Sequence, residues 1–302
     1  MGRSSLNYWA IAAAAASWGT WSAFLRFAQA ERSLPPSLST FVVLAAIAVV
    51  LLPLAVREAR RAPARGERDW YLLAAFGVCD ALNCSLYFAA LQSTSVTVAT
   101  LTHYLAPLLV ALVAPIVLKE VRRPGTGAAV TLSVLGLLVL LAPWRSNGAD
   151  ALPMFPGALL GAASAVFFAA GVLFNKHLSQ RFGPAELIVY HVPSALLVLG
   201  LMVPEGGWSI SATAFAWLVA GAIGPGALAG VVFVRALSQV PAARASVLTF
   251  IEPLTAVTIA TLLWEQPCGA HSLLGGGAIL TAGYWVMRER PPVYAAPSSA
   301  RA

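Results

Sequence analysis

The stretch Ala99–Glu120 reads ATLTHYLAPLLVALVAPIVLKE, and a second version of it, ASVLTFIEPLTAVTIATLLWE, occupies Ala245–Glu265. In each version an aromatic residue precedes a proline by three positions, and the stretch ends in Leu-x-Glu. A helix needs about 20 mostly apolar residues to cross the hydrocarbon core of a bilayer, and each version is long enough. The two stretches therefore predict a membrane helix that is present twice, as expected of an internally duplicated all-α membrane protein.

The rest of the chain has the composition of a membrane protein. Of its 302 residues, 59% are hydrophobic and only 10% are charged, and the mean hydropathy is +0.78. A soluble domain carries about 25% charged residues, so we expect lipid to surround most of this chain. Continuous apolar runs favour helices, which satisfy their own backbone hydrogen bonds in lipid, over the short alternating strands of a barrel. Ten transmembrane helices are predicted, at 8–28, 36–56, 70–92, 96–118, 125–143, 156–176, 184–203, 212–236, 242–264 and 270–288.

The duplication extends beyond Ala99–Glu120 and Ala245–Glu265. Tyr87–Leu91 resembles Phe233–Leu237, at the same distance from the aromatic–proline pair. We predict two five-helix repeats, 1–145 and 150–290, followed by a disordered cytoplasmic tail at 291–302. Because five is odd, the second repeat would enter the membrane from the opposite side. Inverted repeats of this kind surround a central cavity in many secondary transporters and give alternating access by rocking; a duplication kept for packing alone is the alternative.

The net charge of +7 is explained by topology. With ten spans, 16 of the 19 Lys and Arg residues fall on the side of the two termini, and Arg26, Arg32 and Arg145 fall on the other. An excess of basic residues marks the cytoplasmic side. We therefore predict a multi-pass protein of the bacterial inner membrane with both termini cytoplasmic, and no nucleic-acid partner. Arg3 and the alanines after it resemble a secretory signal, but the apolar run continues to Phe24 and is interpreted as a retained helix.

Ten spans in two repeats, each with a proline in its fourth helix and a Leu-x-Glu at its end, resemble the EamA-type transporters of the drug/metabolite transporter superfamily. The run Ile251-Glu252-Pro253-Leu254 is typical of that group, whereas Ala106 stands at the Glu position of the first repeat. Within the superfamily the chain most resembles the YddG-type exporters of aromatic amino acids. The resemblance covers about 8–288. It implies a basket of ten helices around a central cavity and export of a small metabolite without ATP hydrolysis.

Polar and aromatic residues at helical spacing predict which faces line the path. In the third span Asp80, Asn83 and Tyr87 lie at i, i+3 and i+7 and share one face. A polar stripe in a membrane helix is expected to face protein or a water-filled cavity. Packing is the alternative role for each ring, above all for Trp18 and Trp21. The predicted substrate-binding residues are Trp18, Trp21, Asp80, Asn83, Tyr87, Thr100, His103, Tyr104, Ser164, Phe168, Asn175 and Tyr190.

Two acids and two prolines fall near the middle of predicted spans. Asp80 fits a substrate contact, a proton carrier or a hydrogen-bonded structural acid. Glu252 is interpreted as a structural acid that bonds backbone groups freed by Pro253 or pairs with Arg244. Pro107 and Pro253 occupy equivalent places in the two repeats, and a proline removes a backbone hydrogen bond and kinks its helix. We predict that these prolines are hinges of alternating access; static curvature is the alternative.

Aromatic rings beside amides and hydroxyls, with little fixed charge, suit a zwitterionic amino acid that has an aromatic or bulky apolar side chain. We therefore expect a secondary transporter or facilitator that exports such amino acids across the lipid bilayer. A broader drug/metabolite exporter with the same aromatic cavity is the alternative, and a receptor or assembly subunit would usually carry longer exposed segments. The chain has no GxxxxGK[ST] motif, and its four histidines have no metal-site spacing, so no enzyme activity, cofactor or metal is expected. A monomer is compatible with the sequence.

Overall fold

The computed structural model describes residues 3–62, 64–121, 125–145, 154–265 and 269–288. Within these ranges the regular structure is helical, with no strand, and a π-helical segment, Ala222–Leu228, lies between two α-helices. The tail predicted at 291–302 lies outside the described residues. We number the α-helices of the described ranges in chain order: α1 Arg3–Gly19, α2 Trp21–Ala28, α3 Pro36–Ala59, α4 Glu67–Ser93, α5 Val96–His103, α6 Ala106–Val117, α7 Thr126–Leu141, α8 Met154–Leu178, α9 Pro184–Met202, α10 Ala212–Gly221, α11 Ala229–Leu237, α12 Ala242–Leu248, α13 Ile251–Trp264 and α14 Ala270–Arg288.

Seven helical stretches of the described ranges are long and apolar enough to cross a membrane. They are Pro36–Ala59, Glu67–Ser93, Val96–Val117, Phe155–Leu178, Pro184–Met202, Ala212–Leu237 and Ala242–Trp264. A further apolar helix, Thr126–Leu141, is shorter. The expected all-α membrane class is thereby confirmed, whereas the count of ten spans in two repeats stays a prediction.

The helices pack in pairs that join the first half of the chain to the second. α4 runs along α8, α3 along α9, α7 along α14, and α1 along α11. Glycine permits the closest approaches: Gly77 of α4 lies against the backbone carbonyl of His191 in α9, and Gly136 of α7 lies against Gly275 of α14. Small residues at such contacts bring helix backbones together and increase van der Waals packing between membrane helices.

Ion pairs join the first turns of α4 and α9 to neighbouring segments. Arg65 pairs with the fully buried carboxylate of Glu186, and Arg181 pairs with Asp69 at 2.9 Å. Glu186 also accepts the backbone N–H of Gly183, at 3.1 Å, and so caps the start of α9. Carboxylates at a helix N-terminus are stabilised by the free N–H groups and the helix dipole. These charges therefore fix where two of the long helices begin.

Lys176, near the end of α8, holds the turn between α11 and α12. Its ammonium group donates to three carbonyl groups of that turn, those of Leu237, Ser238 and Val240, at 2.8–3.0 Å. The carboxylate of Glu120 accepts the backbone N–H of Ala242, the first residue of α12, at 2.9 Å. The carbonyls that end α11 and the N–H that begins α12 are thus satisfied by Lys176 of α8 and by Glu120, in the segment after α6.

Breaks divide two of the membrane-capable stretches next to the predicted hinges. α6 begins at Ala106 and α13 at Ile251, so Pro107 and Pro253 each lie in the first turn of a new helix. A proline is tolerated there because the first N–H groups of a helix have no intrahelical partner. The prolines therefore coincide with interruptions of the helix, as the sequence predicts.

A further break was not predicted. The first span was expected to continue over 8–28, but α1 ends at Gly19 and α2 begins at Trp21. Between them, the N–H and the hydroxyl of Thr20 both donate to the carbonyl of Ser17, at 3.1 and 2.7 Å. Local bonds of this kind compete with the regular helical ladder. The result is a turn that divides the apolar run into two helices.

Candidate functional site

An aromatic cluster lies where α4, α5 and α8 meet. The His103 ring is at its centre, 4.3 Å from the ring of Tyr87 and 5.4 Å from each of the rings of Tyr104 and Phe168. The last two rings meet His103 nearly edge-on, at 86° and 72°. Such tilted arrangements suit the quadrupoles of aromatic rings. We call these four side chains the His103 cluster.

Hydrogen bonds fix the tautomer of His103. Its Nδ1 lies 2.9 Å from the hydroxyl oxygen of Ser164, and that hydroxyl donates to the backbone carbonyl of Gly161 at 2.7 Å. A hydroxyl has only one proton to give, so Ser164 accepts from His103 and Nδ1 carries the hydrogen. In the neutral ring Nε2 then keeps a lone pair that can accept a hydrogen bond. Tyr87 is held separately, with its hydroxyl 3.2 Å from that of Thr100.

The start of α13 adds an acid to this cluster. The ring of Phe250 lies 5.8 Å from the ring of Tyr104, and the carboxylate of Glu252 lies near the Tyr104 hydroxyl. No Lys or Arg occurs in 69–118, 155–175 or 245–264, the segments that build the cluster. A carboxylate in membrane helices without a basic partner requires another hydrogen-bond donor, a proton or a bound cation.

Arg244, the basic partner considered for Glu252, is engaged elsewhere. It is almost completely buried in α12, donates to the carbonyl of Val286 in α14, and lies 5.2 Å from the ring of Tyr8 in α1. These contacts join Arg244 to α14 and α1.

A second polar pair joins α4 to α9. The carboxylate Oδ2 of Asp80 lies 3.5 Å from Nε2 of His191, and the ring of Phe76 covers His191 at 4.4 Å. Nδ1 of His191 lies 3.0 Å from the backbone carbonyl of Leu187. Asp80 and Tyr87 were expected on one polar face, but their contacts lie with different helices, α9 and α5.

The other predicted residues lie outside the His103 cluster. Trp18 packs against Phe233 with ring centroids 4.6 Å apart, and the ring of Trp21 lies against Gly221. Tyr190 lies 5.7 Å from Trp70. These contacts are those of packing side chains.

Two buried asparagines complete the predicted set. The amide Oδ1 atoms of Asn83 in α4 and Asn175 in α8 are buried without a hydrogen-bond partner among the described residues. The structure thus brings together six of the twelve predicted contacts: Tyr87, Thr100, His103, Tyr104, Ser164 and Phe168.

Sequence reasoning missed two partners. Phe250 was noted only as the aromatic residue three positions before Pro253, and His191 was not paired with Asp80. The contact of Phe250 with Tyr104 could have been inferred, because equivalent residues of two repeats can meet near the axis that relates the repeats. The contact of His191 with Asp80 could not have been inferred, because helical spacing does not reveal which two helices pack together.

Comparisons with known proteins agree on one class. The model of the EamA-like transporter family matches residues 5–142 and again 155–288. The chain is 27% identical over 245 residues to an uncharacterized transporter of Archaeoglobus fulgidus, covering 80% of this chain and 83% of that one. It is 28% identical over 242 residues to the pseudopaline exporter CntI of Pseudomonas aeruginosa, covering 78% of this chain and 81% of that one.

A solved structure shares the fold. A protein of known crystal structure is similar with a TM-score of 0.79 and 19% sequence identity, covering 93% of this chain and 98% of that one. At this identity the likeness describes the arrangement of the helices alone.

Proposed function

This chain belongs to the EamA-like transporter family, and we propose that it exports zwitterionic amino acids with an aromatic or bulky apolar side chain. It is a multi-pass membrane protein and a transporter of small molecules, not an enzyme. The resemblance of its sequence pattern to the YddG-type aromatic exporters is one support for this substrate class.

The His103 cluster is the observation that carries the proposal. It offers aromatic faces from Tyr87 and Phe168 beside polar groups that have unused hydrogen-bonding capacity. Aromatic faces favour flat apolar side chains and cations. The rings contact one another, so a substrate would enter by separating them, and its own ring would replace the contacts that are lost.

Two groups of the site suit the ammonium group of such a substrate. Nε2 of neutral His103 offers a lone pair, and Glu252 offers a carboxylate near the Tyr104 hydroxyl. Sequence alone favours a structural role for Glu252. Its place beside the cluster, in segments without Lys or Arg, supports a role as the counter-charge of the substrate instead.

The proposed architecture is two inverted five-helix repeats, 1–145 and 150–290, that rock about the site. The cross-pairing of helices supports it: α4 with α8 corresponds to α11 with α1 when the halves are exchanged. In this scheme Pro107 and Pro253 act as hinges, and the side rich in basic residues, with both termini, faces the cytoplasm of an inner-membrane protein.

A broader metabolite exporter is the second candidate. The pseudopaline exporter is among the relatives at similar identity, and the His103 cluster places few demands on the shape of a flat ligand. Competition separates the two candidates. If pseudopaline or a cationic dye displaces a labelled aromatic amino acid as well as the unlabelled amino acid does, the broad specificity is correct.

Uptake into proteoliposomes tests the proposal. We expect saturable uptake of labelled phenylalanine and tryptophan, with threonine slower because it lacks a ring for Tyr87 and Phe168 to contact. Glu252→Gln should weaken binding of the amino acid and raise the KM, since it removes the proposed counter-charge. Thr258→Val is the matched control, because Thr258 is an exposed residue of the same helix whose hydroxyl bonds only locally, to the Leu254 carbonyl.

The outcomes are distinct. Equal KM values for Glu252→Gln and the Thr258→Val control would return Glu252 to a structural role. Absence of uptake for every amino acid tested, by protein that remains monodisperse, would overturn the proposed substrate class and leave the broader exporter.

A further inference from the structure

The Asp80–His191 pair occupies the middle of two membrane-capable helices. Asp80 lies halfway along α4 (Glu67–Ser93), and His191 lies near the middle of α9 (Pro184–Met202). Their facing atoms, Oδ2 and Nε2, are 3.5 Å apart. A carboxylate at this depth is costly unless it is paired or neutralised, and His191 is the side chain placed to pair with it.

That geometry suits one shared proton. Nδ1 of His191 lies 3.0 Å from the Leu187 carbonyl, which can only accept, so Nδ1 carries a hydrogen. In a neutral imidazole Nε2 then has a lone pair, and this lone pair faces the carboxylate oxygen. One added proton, on Nε2 or on Oδ2, turns this repulsion into a hydrogen bond and gives the pair no net charge. Its loss leaves a net negative charge between two membrane helices.

The close packing of α4 on α9 fixes this pair in place. Gly77, one turn before Asp80, lies directly against the His191 carbonyl and the Ser194 hydroxyl. Ser194 also donates to the carbonyl of Ala74 in α4, at 3.0 Å. The Asp80 side chain is 28% exposed, whereas that of His191 is 7% exposed. The carboxylate is therefore the member of the pair through which a proton would enter and leave.

Other ionisable groups do not supply a partner charge. Within α4, Cys79 and Cys84 flank Asp80, and neither thiol can neutralise a carboxylate. The remaining titratable residues of α4, α9 and the helices packed on them lie towards helix ends or in the His103 cluster, except Tyr190, whose ring lies against Trp70. These are Arg57 and Glu58 of α3, Glu67, Arg68, Asp69, Tyr71 and Tyr87 of α4, His103 of α5, Lys176 and His177 of α8, Glu186 and Tyr190 of α9, and Arg235 of α11.

We propose that the Asp80–His191 pair is the binding site of a coupling proton, distinct from the His103 cluster that takes the substrate. The inference rests on the proposed function as a transporter. A proton from the outer solution would bind the pair, and its release to the cytoplasm would accompany movement of one substrate outward. The proton crosses the membrane and is not consumed. The proton gradient therefore supplies the free energy, and no other reactant is needed.

The test compares two modes of transport in proteoliposomes. For wild-type protein we expect an imposed pH gradient to accelerate net movement of labelled phenylalanine above the rate without a gradient. Asp80→Asn and His191→Gln should lose that acceleration yet keep exchange of labelled for unlabelled phenylalanine at equal pH. Cys79→Ser, beside Asp80, is the control and should keep both. Acceleration that survives in Asp80→Asn, or its absence in wild type that exchanges substrate, would overturn the proposal.

A readout without substrate separates this proposal from the proposed function. Infrared difference spectra of the purified protein across a pH step should show a carboxyl band that disappears in Asp80→Asn and shifts in His191→Gln. If phenylalanine is not transported but this band is present, the substrate class is wrong and the proton site stands. If the band is unchanged in Asp80→Asn, the proton site is wrong whatever the protein carries.

Discussion

Two helix pairs occupy corresponding places in the proposed repeats, and they differ in regularity. α4 and α8 are continuous over 27 and 25 residues and lie side by side. The other pair is interrupted on both members, at Gly19–Thr20 between α1 and α2 and by the π-helical segment Ala222–Leu228 between α10 and α11. We call these the continuous pair and the interrupted pair.

Their side chains differ in the same way. The continuous pair carries Asp80, Tyr87, Ser164 and Phe168, whose partners depend on hydrogen-bond and ring geometry. The interrupted pair carries apolar contacts such as that of Trp18 with Phe233. A hydrogen bond weakens steeply when its angle changes, whereas apolar contacts are non-directional. In the proposed function, the continuous pair therefore contributes side chains to recognition, and we expect movement at the breaks of the interrupted pair.

The largest expected effect is at equivalent positions of the two pairs. Tyr87→Leu removes a ring contact with His103 and a hydroxyl contact with Thr100, and we expect transport to fall about 100-fold, from loss of about 2–3 kcal/mol. Phe233→Leu, at the repeat counterpart, keeps an apolar contact with Trp18 and should cost about threefold or less. Initial uptake rates per folded protein measure both. Equal losses would end the functional distinction between the pairs.

Stability should respond next, at the glycines of the interrupted pair. A Cβ at Gly221 would lie 2.6 Å from the ring of Trp21, whereas nothing lies within 4 Å of one at Gly224. Gly221→Ala should therefore lower the free energy of unfolding by about 1–3 kcal/mol. Gly224→Ala is the matched control, for which we expect no loss. Thermal unfolding in detergent compares them, and an unchanged midpoint for Gly221→Ala would mean that the break at Thr20 already lets the ring move.

Removal of the proline breaks should have a smaller effect, on rate alone. Pro107→Ala and Pro253→Ala restore the backbone N–H groups that a continuous helix uses, so the hinge stiffens. We expect transport to slow about fivefold, or about 1 kcal/mol, while the yield of folded protein changes less. Transport and yield that fall together would favour static curvature over a hinge.

The smallest effect is expected at Thr20. Thr20→Val removes the hydroxyl bond to the Ser17 carbonyl but leaves the backbone bond to the same atom. The loss should be about 1 kcal/mol or less in unfolding free energy. Chemical denaturation of the purified protein measures it. A much larger loss would show that this side chain alone maintains the break.

Sequence predicted those features that depend on composition along one helix. Long apolar runs predicted the membrane-capable helices. Pro107 and Pro253 predicted the breaks, because a proline lacks its backbone N–H whatever its neighbours are. The break at Thr20 escaped prediction, since threonine often continues a helix and its competing bond to Ser17 is a matter of side-chain rotamer. The eighth span contains Pro225 and several glycines, residue types that weaken an α-helix but do not specify a π-helix.

The candidate site shows the same difference between features that depend on one helix and contacts between distant helices. Tyr87, His103, Ser164 and Phe168 were predicted from their polar and aromatic spacing, and they do meet. The pairing of Asp80 with His191 depends on the approach of α4 to α9 at Gly77, a long-range contact that no single stretch of sequence contains. Likewise, Trp18 and Trp21 have the residue types of a binding site but lie in packing contacts.

The contact between Tyr104 and Phe250 bears on how a duplicated gene could diverge. These residues are counterparts in the proposed repeats, and their rings are 5.8 Å apart. Ala106 and Glu252, two residues further along each repeat, therefore also lie near the axis that would relate the repeats. If both descendants had kept a glutamate there, two carboxylates would face each other in a medium of low dielectric, at a cost of several kcal/mol. One descendant has Ala106 and the other Glu252. An internally duplicated protein can therefore keep a single acid where its two repeats meet only if the repeats differ in sequence at that position.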